Sequence, residues 1–420
     1  MKYILLLILI WLSIYPFFSL KKDKTRLYQL PCLFGLTTLG MIITPLIMNV
    51  FFVSGVSEDA FNLYVFNACL CLIAAYIGYS MPVKKISKAN RYDEKKMLFI
   101  VSIYAIVCLL LNNKMNELSD GMYFTEGMPV VLKFFVRMLR PVTIIVMFLF
   151  LRKFSYYKLV LILILLGLNI SGIIIQGRRS EVFMFIFVIL FPLFFVKGFV
   201  PYKKKYLITA FVIGMVVFLL MPTWRYHNLS YYNDASALEE KADYAKALLE
   251  ITDKEAANDV MHATYNVYAV LETGEYNYGA EFYNLLIFNF MSRTLLGEGV
   301  KEKLYVGKFG KDRMELLRSQ VNYGEWGYFK RYLVWTGFAD VFFIFGFGGC
   351  ILFFFFARIS KRMWYDAVYT DDIMYKVFYS YFAVMFICAA IYANISGLIV
   401  VLIQFLIVYL PVKYFSKIRK

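Results

Sequence analysis

Lys158-Leu159-Val160-Leu161-Ile162-Leu163-Ile164-Leu165-Leu166-Gly167-Leu168-Asn169-Ile170-Ser171-Gly172-Ile173-Ile174-Ile175 runs into Gln176-Gly177-Arg178-Arg179-Ser180-Glu181. A second apolar run, 182–197, follows at once. Each run approaches the ~20 apolar residues that a helix needs to cross a bilayer. In hydrocarbon a segment must satisfy its own backbone hydrogen bonds, so repeated runs of this length predict an all-α, polytopic transmembrane bundle. The whole chain agrees: of 420 residues, 61% are hydrophobic and 19% aromatic, with a mean hydropathy of +0.63. A water-soluble fold has no use for that much apolar surface.

The candidate spans are 3–20, 31–52, 62–82, 97–112, 129–151, 158–175, 182–197, 206–222, 340–357, 375–393 and 396–412, about 11 in all. The last two could form one hairpin turning at Ala393-Asn394. Between them the basic segments fall on alternate sides. Lys21–Arg26, Lys84–Lys96, Arg152–Lys158, Lys197–Lys205, Arg358–Arg362 and Lys413–Lys420 share one face. Lys and Arg mark the cytoplasmic side, so the N-terminus is expected outside and the C-terminus inside. The net charge of +16 therefore reads as a topology signal, and no nucleic-acid partner is expected. Met1–Leu20 lacks a small-residue cleavage site and reads as an uncleaved first span. Cys32, Cys69, Cys71, Cys108, Cys350 and Cys388 all lie in or beside apolar runs and read as small core residues. With only His227 and His262 as histidines, no metal cluster is visible and no metal or other cofactor is expected.

This layout divides the chain into an N-terminal bundle, 1–222, an extracytoplasmic helical stretch, 223–339, and C-terminal helices, 340–420. These regions are not expected to fold separately. Within the hydrophilic stretch, Ser236-Ala237-Leu238-Glu239 has the form of a capping box and opens a helical pattern. Val260, Thr264, Val267 and Leu271 predict a second helix from about Asn258 to Glu272. Glu281 to Leu296 is apolar enough to lie in the membrane interface.

Cations at unexpected depth are the candidate functional residues. Arg178 and Arg179 fall on the face that should be poor in cations, and guanidinium pairs suit phosphate or diphosphate. Gly177 beside them lets a ligand approach the backbone, and Glu181 could orient one guanidinium. Lys133, Arg137 and Arg140, at i, i+4, i+7, share one helix face. A cation at mid-bilayer costs ~2.5–3.5 kcal/mol on an insertion scale. Either they line a water-filled cavity open to the outside, or the helix starts later, near Pro141, and 129–140 lies along the surface. In Trp224-Arg225-Tyr226-His227, Arg225 is an anion contact or a snorkelling member of an aromatic belt. His227 is a base or part of the same belt. Arg293, Lys330 and Arg331 read as anchors of neighbouring segments, with anion binding the alternative. His262 reads as a packed or surface residue.

The span layout, the Gly177-Arg178-Arg179-Ser180 segment and the aromatic, Gly-rich Phe338–Gly349 together resemble the Wzy-type oligosaccharide repeat-unit polymerases of O-antigen and capsule synthesis. The O-antigen ligases are more distant. They often show a His-Asn pair late in the outer loop, whereas here His227-Asn228 stands at its start. The resemblance implies a GT-C-like bundle in the bacterial cytoplasmic membrane, working at its outer face. It implies transfer of a growing glycan from undecaprenyl pyrophosphate to a hydroxyl of an incoming lipid-linked repeat unit. Membrane lipid and a regulator of chain length would be its other partners. Arg137, Arg140, Arg178, Arg179 and Arg225 would hold the diphosphate. His227, Glu181 and Glu325 would be the candidate bases, and Lys133, Tyr226 and Arg293 further substrate contacts. Rival readings are a ligase, a transporter of lipid-linked saccharide or anions, and a scaffold. No paired halves of the kind many transporters show are visible.

Overall fold

The computed structural model describes residues 1–51, 57–83, 87–118, 128–176, 179–201, 259–288, 298–306, 336–392 and 394–418. In chain order the helices are α1 (Lys2–Ile14), α2 (Leu30–Thr38), α3 (Thr44–Phe51), α4 (Glu58–Ser80), α5 (Glu94–Leu118), α6 (Met128–Val136), α7 (Leu139–Arg152) and α8 (Tyr156–Gln176). They continue with α9 (Arg179–Lys197), α10 (Asp259–Thr273), α11 (Ala280–Leu286), α12 (Glu298–Lys303), α13 (Gly337–Phe345), α14 (Cys350–Tyr369), α15 (Ile373–Tyr392) and α16 (Ile395–Phe415). Among the described residues the only β pairing is an isolated bridge between Tyr92 and Lys417.

Among the described residues, eight stretches are helical, long and apolar enough to cross a membrane: Lys2–Lys21, Leu30–Ile47, Glu58–Ser80, Glu94–Lys114, Val131–Arg152, Gly337–Tyr369, Ile373–Ile391 and Ile395–Phe415. The chain is a multi-pass helical membrane protein. Two shorter apolar helices, Tyr156–Asn169 and Val182–Lys197, match two more expected spans. The expected span 206–222 lies outside the described residues.

Several boundaries differ from the expected ones for local reasons. Glu58 and Asp59, expected in a loop, form the first turn of α4, where Ser57 Oγ accepts from Ala60 N (3.2 Å). Acidic side chains favour that end of a helix. Arg358–Arg362, expected as a loop, lies inside α14, because helical hydrogen bonding continues where the apolar run stops. The 31–52 span carries a π turn at Leu39–Ile43, just before Pro45, which cannot donate to the fourth preceding carbonyl. Thr44 Oγ1 donates to Leu39 O across the wide turn (3.1 Å).

Residues Met1–Ala89, Phe124–Phe134 and Ala257–Leu406 form one compact unit, and the remaining residues form a second. In the first, α4 and α14 pack side by side. A Cβ at Gly78 would collide with the backbone oxygen of Phe354, so only glycine permits that approach. Phe34, Phe338, Phe353 and Phe386 make the aromatic centre, with the Phe338 and Phe353 rings stacked at 5.3 Å. Arg358 donates to the carbonyls of Met81 (2.7 Å) and Pro82 (2.8 Å), just past the end of α4. Pro16 leaves Leu12 O without its helical donor, and the hydroxyl of Tyr76 takes that oxygen at 3.0 Å.

In the second unit α7 is the buried centre, with Val142, Ile144, Ile145, Val146, Phe148 and Leu149 nearly inaccessible. Its last turn is closed by Lys158, whose Nζ donates to Leu149 O (2.8 Å) and Lys153 O (3.0 Å). Glu94 lies 3.3 Å from Arg152 and 3.7 Å from Lys158. Pro411 inside α16 repeats the pattern of Pro16. The carbonyl it cannot serve, Ile407 O, accepts from the Tyr104 hydroxyl at 2.8 Å.

Candidate functional site

A buried polar arrangement in the first unit surrounds α13. Thr336 caps this helix, its Oγ1 accepting from Ala339 N (3.3 Å), and Tyr64 OH lies 3.0 Å from the same Oγ1. Asn67 Nδ2 donates to Phe338 O at 2.6 Å. Just past the other end of α13, the Phe347 ring meets Phe66 at 5.4 Å. Both ends of a nine-residue helix, roughly 13 Å long, thus meet the short stretch Tyr64–Asn67. We conclude that α13 lies across α4, not alongside it. Residues 337–344 are all buried. Gly346, with φ +60°, turns the chain into α14; a side chain there would strain the backbone and crowd Tyr276.

Asp340, 3% exposed, points from α13 to the start of α16. Its Oδ2 accepts from Ser396 N (3.0 Å) and Ser396 Oγ (3.2 Å). The first amides of a helix are orphan donors, and a carboxyl oxygen there gives one of them an acceptor. The signal for Asp340 was present in the sequence as one acidic residue within the apolar run Phe338–Phe356, a placement that marks an intramembrane carboxyl for attention.

The hydrophilic stretch joins this arrangement. The helix expected from about Asn258 to Glu272 is α10, Asp259–Thr273. It buries Val260, Ala263, Val267 and Val270 together with His262, Thr264 and Asn266. His262 is thus packed, one of the two alternatives read from the sequence. Burial shifts the Tyr268 phenol upward, and the Glu272 and Asp59 carboxylates add to the shift. After α10 the chain turns at Gly274 and docks on the far end of α13. Asn277 N donates to Phe343 O (2.8 Å) and Tyr278 N to Ile344 O (2.9 Å). These carbonyls belong to the last turn of α13, where helical donors run out. The expected interfacial segment from Glu281 to Leu296 is helical as α11 only to Leu286 and is described only to Phe288.

The expected cation cluster is described in part. Lys133 and Arg137 are exposed and Arg140 is half-buried. A tight turn at Arg137-Met138, with Arg140 N bonded to Arg137 O (3.3 Å), separates α6 from α7. Val131–Arg152 still runs as one helical stretch, with Pro141 in the first turn of α7. Lys133 belongs to the first unit, Arg137 and Arg140 to the second. Arg179 and Glu181 stand in the first turn of α9, where the backbone alone is described. Gly177, Arg178, Arg225, Tyr226, His227, Arg293 and Glu325 lie outside the described residues. Among the described residues no three of His, Cys, Asp and Glu form a metal-binding group. Comparison with protein-family models, curated proteins and solved structures finds no match to this chain.

Proposed function

We propose that this chain polymerises undecaprenyl-pyrophosphate-linked oligosaccharide repeat units at the outer face of a bacterial cytoplasmic membrane, as a GT-C-like glycosyltransferase of O-antigen or capsule synthesis. The anomeric carbon–oxygen bond to the diphosphate of the growing chain breaks. A new bond forms to a sugar hydroxyl of the incoming unit, and that hydroxyl's proton passes to a base or to the departing diphosphate. Arg178 and Arg179 stabilise the charge that develops on the leaving group. Arg137, Arg140 and Arg225 assist, and His227, Glu181 and Glu325 are the candidate bases. Undecaprenyl-linked glycan is the substrate partner, and a chain-length regulator is a further expected partner.

One observation carries most of the support: α10, from the hydrophilic stretch, is packed among membrane helices with a polar buried face, over the transverse α13. A lipid diphosphate has its tail in hydrocarbon and its glycan in water, so its enzyme needs a surface in which the two regions form one body. The test is the cell's surface glycan resolved on a gel. Arg178→Ala and Arg179→Ala should each lose the long-chain ladder while keeping single repeat units. A normal ladder in both variants would overturn the reading.

A further inference from the structure

Asn277, Tyr278, Gly279 and Ala280 form a tight turn closed by Ala280 N on Asn277 O (3.0 Å). Both central residues have positive φ, +49° for Tyr278 and +85° for Gly279. This is the pattern of a type I′ turn, whose first central position favours Asn, Asp or Gly. Tyr278 is the only non-glycine residue with positive φ among the described residues. For a bulky side chain that conformation is a true outlier, and such strain persists where the surroundings impose it and function uses it.

The surroundings do impose it. The turn is pinned to α13 by the amides of Asn277 and Tyr278, and the Tyr276 ring packs 6.1 Å from Phe342. The side chain of Tyr278 takes no part in that clamp. It is 74% exposed, with its ring 6.1 Å from that of Tyr276. Glycine or asparagine would make the same backbone contacts without the strain, so the aromatic ring is what tyrosine adds. An interfacial anchor would work from any backbone conformation. The clamped backbone fixes the direction in which the Cα–Cβ bond of Tyr278 leaves the turn, and an exposed ring presented from a fixed point suits stacking on a ligand. The half-buried Glu275 and Glu281 flank the turn in sequence and supply acceptors for hydroxyl groups.

We infer that Tyr278 is a saccharide-binding residue, its ring stacking on one sugar face of the glycan that the chain extends. The inference rests on the polymerase reading and names a contact within it. The test uses the full-length chain in lipid nanodiscs. The probe is the repeat-unit oligosaccharide released from the producing cell's own surface glycan. Tyr278→Gly should raise the unfolding temperature, by relieving strain, and weaken probe binding by about tenfold, the scale of one lost aromatic contact. Tyr278→Phe should bind within about twofold of the unchanged chain. Tyr278→Asn, which also suits the turn, serves if the glycine variant fails to fold. Unchanged probe binding in the Gly or Asn variant, or a lower unfolding temperature in both, overturns the inference. If that happens while the arginine variants lose the ladder, the polymerase reading stands alone. If the arginine variants keep the ladder while probe binding depends on Tyr278, the polymerase reading falls and the saccharide contact remains.

Discussion

The carboxylate of Asp340 accepts the backbone N–H of Ser396 at 3.0 Å, joining the transverse helix α13 to the first turn of α16. Removing the carboxylate leaves a buried amide without its acceptor, at a cost of about 1–3 kcal/mol. Asp340→Ala should lower the unfolding temperature measured in detergent or nanodiscs. Asp340→Asn keeps an acceptor oxygen and should recover most of the loss. Equal effects of the two substitutions would show that shape, and not this bond, matters at the site.

Two tyrosine hydroxyls serve carbonyls that prolines leave open: Tyr76 on Leu12 O and Tyr104 on Ile407 O. Interhelical bonds of this kind inside membranes are worth about 0.6–2 kcal/mol. Tyr104→Phe should destabilise by that amount in the unchanged chain. In a Pro411→Ala background it should destabilise less, because Ile407 O regains a helical donor. A double-mutant cycle on unfolding free energies measures the difference.

Gly78 faces the backbone of Phe354, which cannot swing aside as a side chain would. Gly78→Ala should push α4 from α14 and cost about 1–3 kcal/mol, the range for overpacking a tight interior. Gly167, where an added methyl group would meet nothing within 4 Å, is the control. Gly167→Ala should be neutral or mildly stabilising, since alanine favours helix. Paired thermal melts of the two variants decide it.

The orientation expected from the basic segments can be checked on single cysteines placed in a chain whose own six cysteines are replaced. Arg178→Cys should react with a membrane-impermeant maleimide added to intact cells. Lys361→Cys, near the far end of α4 by virtue of its ring contact with Tyr79, should react only after permeabilisation. Labelling of both from one side would reverse or break the assigned alternation.

The long apolar helices were legible because length and hydropathy alone decide them. Helix α10 was legible too: the spacing of Val260, Thr264 and Val267 located it to within about a residue at each end, although Leu271 proved exposed. The transverse course of α13 was not. Phe338 to Phe356 reads as one unbroken apolar run, and only the backbone at Gly346 reveals that it bends. The basic cluster of α14 misled for a related reason, since charge marks where hydrocarbon ends and a helix can continue beyond it. For the site, spacing put Lys133, Arg137 and Arg140 on one ideal helix, and the backbone there tightens at Arg137-Met138 within the stretch Val131–Arg152. Asp340 is legible as a lone acid in an apolar run, whereas its partner, Ser396, is remote in sequence and is shown only by the fold.

Because the stretch from Gly337 to Tyr369 is broken at Gly346, it is not one rigid rod. A straight helix meets a thicker or thinner bilayer by tilting as a whole, which disturbs every neighbour. Here α14 is tied along its length to α4, at Gly78 and through Arg358, while α13 is seated on α4 and α16. A change of tilt should therefore carry α4, α13 and α14 together, and the contacts of Tyr64 with Thr336 and of Asn67 with Phe338 should hold steady across lipids of different acyl length.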